Sequence, residues 1–375
     1  MRIGVPKETA AGEHRVALVP EVISRLHDKG LEVLVQSGAG AGALLSDDAF
    51  QKSGATIADE PAVWHADLVV VIAPPRPEQI SNLDPNSVVV GFLAPLTSPA
   101  TIRALADAKV TALAMEAIPR ISRAQSMDAL SSQSNVAGYK AVILAGEELE
   151  RFFPMLMTAA GTIPPAKVLV LGVGVAGLQA LATAKRLGAR TTGYDVRPEV
   201  AEQVASLGAQ WLDLGLEASG QGGYARELSE EERSRQQQAL TDAIKGFDVV
   251  ITTALVPGRP APKLVTAEAV EGMKAGSVIV DLAGESGGNC ELTEPGQTVV
   301  RHDVKIVSPL NLPSSMAEHA SQLFARNVLA LLELMVDEHG DLVLDFDDEV
   351  IAGACVVRDG EIVNPGARAT VESAA

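Results

Sequence analysis

Short apolar runs alternate with stretches of helical spacing along the chain. Residues 2–5, 32–36, 68–72, 87–92 and 110–114 have the length and apolar content of strands. Between them, residues 20–29, 47–53 and 98–108 read as helices. Parallel strands need crossover connections, so this alternation predicts a mostly parallel sheet covered by helices. A second alternation begins at Ala166, with strands at 168–171, 190–194, 249–252, 277–281 and 305–307 and helices at 175–187 and 199–207. The pattern over 127–150 is helical. Leu323, Phe324, Val328, Leu331 and Leu332 give 316–336 one apolar helical face. These two segments are expected to carry the chain out of a first domain and back into it. The prediction is an α/β protein with a discontinuous first domain, residues 1–126 plus 328–375, and a second domain, 127–327. Two parallel sheets are joined by long helices with a cleft between them, and 343–363 forms an acidic, strand-rich completion. Residues 215–235 break the pattern with a Gly-rich run followed by dense charge, which reads as a long surface loop. No fixed-period repeat is present.

Composition narrows the class. At 375 residues the chain is long for one ordinary domain and suits two. Apolar residues make up 47% and charged residues 21%, which reads as a soluble globular chain. Lys and Arg number 30 against 48 Asp and Glu, for a net charge of −18. Such a surface repels phosphate backbones and anionic headgroups, so nucleic acid is not an expected partner. No apolar run approaches the ~18 to 20 residues of a membrane helix, so direct membrane insertion is not expected. The N-terminus enters a strand at once, without the apolar core of a signal peptide, which predicts a cytoplasmic protein. Cys290 and Cys355 are too few for a disulfide framework and are expected as buried thiols.

The strongest local signal is Gly172-Val173-Gly174-Val175-Ala176-Gly177, which follows the apolar run 167–171 and opens a helix. The first glycine permits the tight turn, the second lets backbone approach a pyrophosphate, and the third lets helix pack on strand. A pyrophosphate then sits at the helix N-terminus, where free N–H groups and the dipole favour an anion. An acid is expected about 20 residues on, and Asp195 stands 18 positions after Gly177 at the end of the next strand. A carboxylate there accepts ribose hydroxyls and repels a 2′-phosphate, favouring NAD over NADP. Arg197 points the other way, since a nearby arginine can accommodate that phosphate. The fold expected from strand, loop, helix and acid together is therefore two Rossmann-like domains, the second binding the dinucleotide.

Longer stretches add a resemblance. Pro119-Arg120-Ile121-Ser122-Arg123-Ala124-Gln125-Ser126-Met127-Asp128 and Ser131-Ser132-Gln133-Ser134-Asn135-Val136-Ala137-Gly138-Tyr139 closely resemble the NAD(H)-binding domain of proton-translocating nicotinamide nucleotide transhydrogenases. So do Thr158-Ala159-Ala160-Gly161-Thr162-Ile163-Pro164-Pro165-Ala166, the glycine loop, and Gly284-Glu285-Ser286-Gly287-Gly288-Asn289-Cys290. The resemblance runs from residue 7 to about residue 366. It implies the subunit carrying the NAD(H) site of a Re/Si-specific, proton-translocating enzyme. Hydride passes between NAD(H) here and NADP(H) on a partner subunit, coupled to proton translocation by membrane-spanning subunits. It also implies a homodimer, peripheral at the cytoplasmic face of the inner membrane. Carried over by position, Arg120, Gln125, Asp128 and Ser131 hold and orient the nicotinamide end, and Gln125 reaches toward the partner's nucleotide. Ile121, Ser122 and Arg123 contact the cofactor in the same stretch. Val175 and Ala176 join the glycines at the phosphates, while Asp195, Val196 and Arg197 surround the adenosine ribose. Ala254 and Leu255 lie beside the cofactor, and Gly223 and Tyr224 belong to a mobile loop that closes over it.

The same fold is shared by alanine dehydrogenase, which supplies a competing expectation. Oxidising a C–H beside an amine moves protons as well as hydride and needs an acid/base group. The resemblance implies a lysine near residues 70–77 and a histidine near 89–95. The first segment holds no lysine, and Phe92 or Leu93 stands in the histidine's neighbourhood. Arg15 matches an arginine that grips the substrate carboxylate in alanine dehydrogenases, and a vestigial or structural role is expected for it here. Transfer between two nicotinamides needs no proton donor, only near-attack geometry without water. The transhydrogenase reading is therefore preferred, the alternatives being an amino acid dehydrogenase and a noncatalytic NAD-sensing module. None of the six histidines has ligand spacing, and Asp341, Asp345, Asp347, Asp348 and Glu349 lack the turn of a calcium loop, so no metal is expected. That acidic run reads as a solvated face.

Overall fold

Valine and leucine dominate the strands Leu68–Val71 and Val88–Gly91, and every residue of both is buried. Strands buried on both faces belong inside a helix-covered parallel sheet. The computed structural model describes residues 1–214, 230–256, 258–337 and 339–374. These residues divide into two units, Met1–Gln133 with Pro313–Ala375, and Ser134–Leu312.

The sheet of the first unit runs, edge to edge, Glu361–Ile362, Cys355–Arg358, Thr111–Ala114, Val88–Gly91, Leu68–Val71, Arg2–Val5, Glu32–Gln36 and Thr56–Ala58. From Thr111–Ala114 onward the strands are parallel, and the last two strands in sequence pair antiparallel at the other edge. Alternate residues feed opposite faces. Leu68 and Val70 join a core with Ile3, Val35, Phe324 and Leu332, while Val69 and Val71 join another with Trp64, Val89 and Leu105.

Helix Ala317–Met335 sinks Phe324, Val328, Leu331 and Leu332 into the first unit's core. The unit therefore begins again at Pro313, ahead of the expected residue 328. The earlier boundary lies inside helix Ala129–Glu148, between Gln133 and Ser134, where 126/127 was expected. Part of the acidic completion is helical, with Glu349–Ala354 preceding the Cys355–Arg358 strand.

The sheet of the second unit runs Gln210–Trp211, Arg190–Tyr194, Lys167–Leu171, Val249–Thr252, Val278–Asp281, Val304–Val307 and Thr298–Arg301. All neighbours are parallel except the last pair. The parallel strands have the dinucleotide-fold order 3-2-1-4-5-6, reversing direction between Lys167–Leu171 and Val249–Thr252. Ligands in open α/β sheets lie outside the carboxyl ends of the strands at such a reversal.

Short elements escaped the sequence pattern: Thr56–Ala58, helix Glu60–Trp64, and a separate hairpin of Leu156–Thr158 with Gly161–Ile163. Residues 230–235 of the expected loop begin helix Glu230–Ile244, whose first turns carry charge and glutamine in place of an apolar stripe. Gly223 and Tyr224 lie outside the described residues.

Phe324 is fully buried, its ring 5.2 Å from that of Phe92. Phe324→Ala should cost about 3 to 5 kcal/mol of stability by urea unfolding, and a loss below about 1 kcal/mol would contradict this packing.

Candidate functional site

In the second unit the three glycines of the loop have three different surroundings. Gly172 sits at φ +89°, and a Cβ there would lie 2.9 Å from the Thr253 hydroxyl. At Gly177 a Cβ would fall 1.9 Å from the Gly172 carbonyl oxygen, so only a bare α-carbon lets the helix start this close to the strand. Around Gly174 a Cβ would meet nothing within 4 Å, leaving an open approach to the backbone. Gly174 is the N-cap of helix Val175–Arg186, with no side chain capping it and no acid in its first turn. Its positive end thus faces an accessible space suited to an anion.

Asp195 closes one side. Its Oδ2 accepts from the Val173 amide at 2.9 Å, tying the second strand's end to the loop. Its Oδ1 accepts from the Arg197 amide at 3.0 Å and from Nε at 2.9 Å, and Arg197 Nη2 reaches Oδ2 at 3.0 Å. Burial alone would raise this carboxyl, but the Arg197 guanidinium and the two amides outweigh it and hold it below the usual range. Val175, Val196 and Leu255 are exposed apolar side chains of this unit, Val196 at 69% and Leu255 at 55%.

Two residues missed in the sequence hold the other side. Asn289 is fully buried; its amide donates to the carbonyls of Ala254 at 2.9 Å and Pro262 at 2.7 Å, and its oxygen accepts from the Ala254 amide at 3.1 Å. Asp281 accepts from the hydroxyls of Thr252 and Thr293 and from the amides of Ala283 and Cys290. The Gly284–Cys290 run therefore acts as a scaffold that fixes Ala254. The signal was a polar residue ending the buried strand Val278–Asp281.

In the first unit, Arg120, Ser122, Arg123 and Gln125 are exposed, and Ile121 is half-buried. Ala124 and Met127 anchor the same short 3-10 segment, Ser122–Met127, in the core. Asp128 accepts from the Ser131 amide at 2.8 Å and its hydroxyl at 2.6 Å, which caps the start of helix Ala129–Glu148. Arg123 makes a two-pronged pair with Asp348, 2.8 Å on each prong, and reaches Glu349 at 3.4 Å. That pairing, chiefly the guanidinium's hydrogen bonds, lowers the Asp348 carboxyl to about 2. Asp341, Asp345, Asp347 and Glu349 of the acidic run are exposed, as a solvated face would be, while Asp348 is engaged by Arg123. Asp348 also caps the helix it precedes.

Residues 4–137 match the description "Alanine dehydrogenase/PNT, N-terminal domain", and residues 141–365 match "Alanine dehydrogenase/PNT, C-terminal domain". The chain belongs to the alanine dehydrogenase/PNT family. It is 51% identical to the first polypeptide of the NAD(P) transhydrogenase alpha subunit of Rhodospirillum rubrum, over 97% of this chain and 98% of the relative. The solved transhydrogenase of Sinorhizobium meliloti superposes with a TM-score of 0.86 at 41% identity, covering 97% of this chain and 99% of that one. Alanine dehydrogenase of Bacillus subtilis is 30% identical over 96% of this chain and 92% of the relative.

Arg15 is buried, donates to Glu13 through Nε and Nη2 at 2.7 and 2.6 Å, and to Gln133 at 2.8 Å. Gln133 in turn donates to the Ala320 carbonyl, so Arg15 belongs to a structural network. Phe92 packs on Phe324 and Leu93 is fully buried. One titratable group went unnoticed in the sequence. Glu8 accepts from the amides of Ile72 and Ala73 at 2.5 and 3.3 Å, at the strand end where the dehydrogenase resemblance implies a lysine. Burial pushes its carboxyl up to about 7, against the pull of the Ile72 amide and with a further push from Glu13.

Cys290 and Cys355 are buried free thiols, each raised to about 11 by burial. No cluster of three or more metal-ligating side chains occurs among the described residues, and no described helix is long and apolar enough to cross a membrane.

Because the folded protein raises the Glu8 pKa, its stabilisation is complete below pH 4.5 and is lost as pH rises through about 7. The stability of Glu8→Gln relative to the parent should therefore increase from pH 5 to pH 8, by on the order of 2 kcal/mol in urea unfolding. A pH-independent difference would contradict the raised carboxyl.

Proposed function

We propose that this chain is the NAD(H)-binding subunit of a proton-translocating transhydrogenase. The observation that carries the reading is the second unit's glycine loop with Asp195 fixed beside it, in a chain that matches a transhydrogenase α subunit along nearly its whole length. In this reading Gly172, Gly174, Val175, Ala176 and Gly177 take the pyrophosphate on backbone N–H groups. Asp195, Val196 and Arg197 surround the adenosine ribose. The exposed Val196 and Leu255 offer apolar cover, and Ala254 is held rigid by Asn289. Arg120, Ile121, Ser122, Arg123, Gln125, Asp128 and Ser131 attend the nicotinamide end. The contribution of Asp128 is to position Ser131, given their hydrogen bonds.

Bound NADH supplies a hydride, which passes with its electron pair to NADP⁺ on a partner subunit. No proton changes hands in that step, so the residues' tasks are orientation and water exclusion. Membrane-spanning subunits couple the transfer to proton translocation, and this chain sits peripherally at the cytoplasmic face of the inner membrane. A homodimer fits the hairpin of Leu156–Thr158 and Gly161–Ile163. It exposes Met157 at 73% and Ile163 at 45%, and a lone hairpin is marginally stable in water.

Glu8 favours one second reading, an amino acid dehydrogenase, because a carboxyl near 7 suits proton transfer. Mixing the purified chain with the separately purified NADP(H)-binding subunit, and following hydride from an NADH analogue to an NADP⁺ analogue, separates the readings. Transfer is expected, with no alanine-dependent NAD⁺ reduction by the chain alone. Alanine oxidation would establish the dehydrogenase, and NADH binding without transfer would indicate a sensing module. Gln125→Asn should slow transfer about 10-fold while leaving NADH affinity within about 2-fold; an unchanged rate would remove Gln125 from the site.

A further inference from the structure

Asp195 is assigned to the ribose in the reading above, yet its carboxylate is already full. A carboxylate offers about four lone-pair positions. The Val173 amide, the Arg197 amide, Nε and Nη2 supply four donors at 2.9 to 3.0 Å. The two amides are fixed by the backbone turn. The other two donors belong to a side chain that is 53% exposed, whereas the Asp195 side chain is 7% exposed. A ribose diol brings two O–H donors and needs two acceptor positions. It can obtain them at Asp195 only where the guanidinium now sits.

We propose that Arg197 is a specificity-determining residue that occupies the ribose seat in the free protein and is displaced by the 2′,3′-diol of NAD(H). The proposal deepens the dinucleotide reading and depends on it. The diol replaces two guanidinium donors with two hydroxyl donors, so the carboxylate stays satisfied. Glu199 is a further carboxylate acting on Arg197 and can receive the displaced charge. A 2′-phosphorylated ribose cannot make this exchange, because it brings an anion where the diol brings a donor. Freeing Arg197 to meet that phosphate would leave the Asp195 charge beside it. Asp195 thus enforces NAD selectivity twice, by its own charge and by keeping the Arg197 guanidinium engaged. Without Asp195, the same arginine becomes a receptor for a 2′-phosphate, as arginine's fork geometry suits.

The test is equilibrium titration with NADH and with NADPH of four proteins: the parent, Arg197→Ala, Asp195→Ala and the double variant. Removing the competitor in Arg197→Ala should tighten NADH binding about 2- to 5-fold, the worth of an ion pair whose guanidinium is half exposed. Asp195→Ala should weaken NADH binding and strengthen NADPH binding about 10-fold or more, and the double variant should lose that gain. Weaker NADH binding by Arg197→Ala would overturn the displacement. So would an Asp195→Ala protein that gains nothing for NADPH, or a double variant that keeps the gain. A parent protein that binds neither nucleotide would instead overturn the dinucleotide reading itself, and this proposal with it.

Discussion

A helix can begin against the end of a strand only where no side chain stands between them. In the second unit that constraint falls on Gly177, whose absent Cβ would lie 1.9 Å from the Gly172 carbonyl. The same carbonyl accepts the Thr253 hydroxyl at 2.7 Å, so the loop after the neighbouring strand closes on the same point. The second strand contributes Asp195, which receives the Val173 amide. Three strand ends therefore converge on one turn, and the open backbone at Gly174 lies among them. The proposed anion seat consists of the unsatisfied N–H groups of this helix start, brought against the strand ends by so tight a turn.

The first unit uses different means to hold its exposed loop. Buried Ala124 and Met127 fix the segment from below, and the Asn327 amide donates to the Ser126 carbonyl at 2.7 Å. Asp128 fixes one end through Ser131, and Arg123 ties the middle to Asp348. Arg120 and Gln125 remain exposed on this frame. Polar side chains on a stiff loop suit orientation of a bound group better than proton transfer. Phe92 and Leu93, packed where the dehydrogenase resemblance implies a histidine, point the same way. Glu8 is the exception, and its raised carboxyl faces main-chain amides on the Ile72 side of the sheet.

Signals carried within one short segment were legible in the sequence. The glycine loop, its strand and its helix lie within residues 167–186, and Asp195 ends the next strand. Buried parallel strands such as Val249–Thr252 announced themselves as apolar runs. Signals carried by distant partners were not. Asn289 and Asp281 matter through Ala254, Pro262, Thr252 and Thr293, none of which periodicity can assign to them. Glu8 carries no local signal because its partners, Ile72 and Ala73, follow the end of a strand 64 and 65 positions further along the chain. Helix Glu230–Ile244 was hidden by composition, since its apolar contacts, Leu240 and Ile244, come only in its last turns. The unit boundary was set by where Phe324 packs, which sequence spacing does not reveal.

In the proposed function, the turn at residues 172–177 is the anion seat of a dinucleotide. The most direct measurement is a crystal structure of the chain grown with NADH. Pyrophosphate oxygens are expected on the N–H groups at Val175 and Ala176, with the adenosine ribose against Asp195. NADH bound anywhere else, or a pyrophosphate held by side chains away from Gly174, would contradict it.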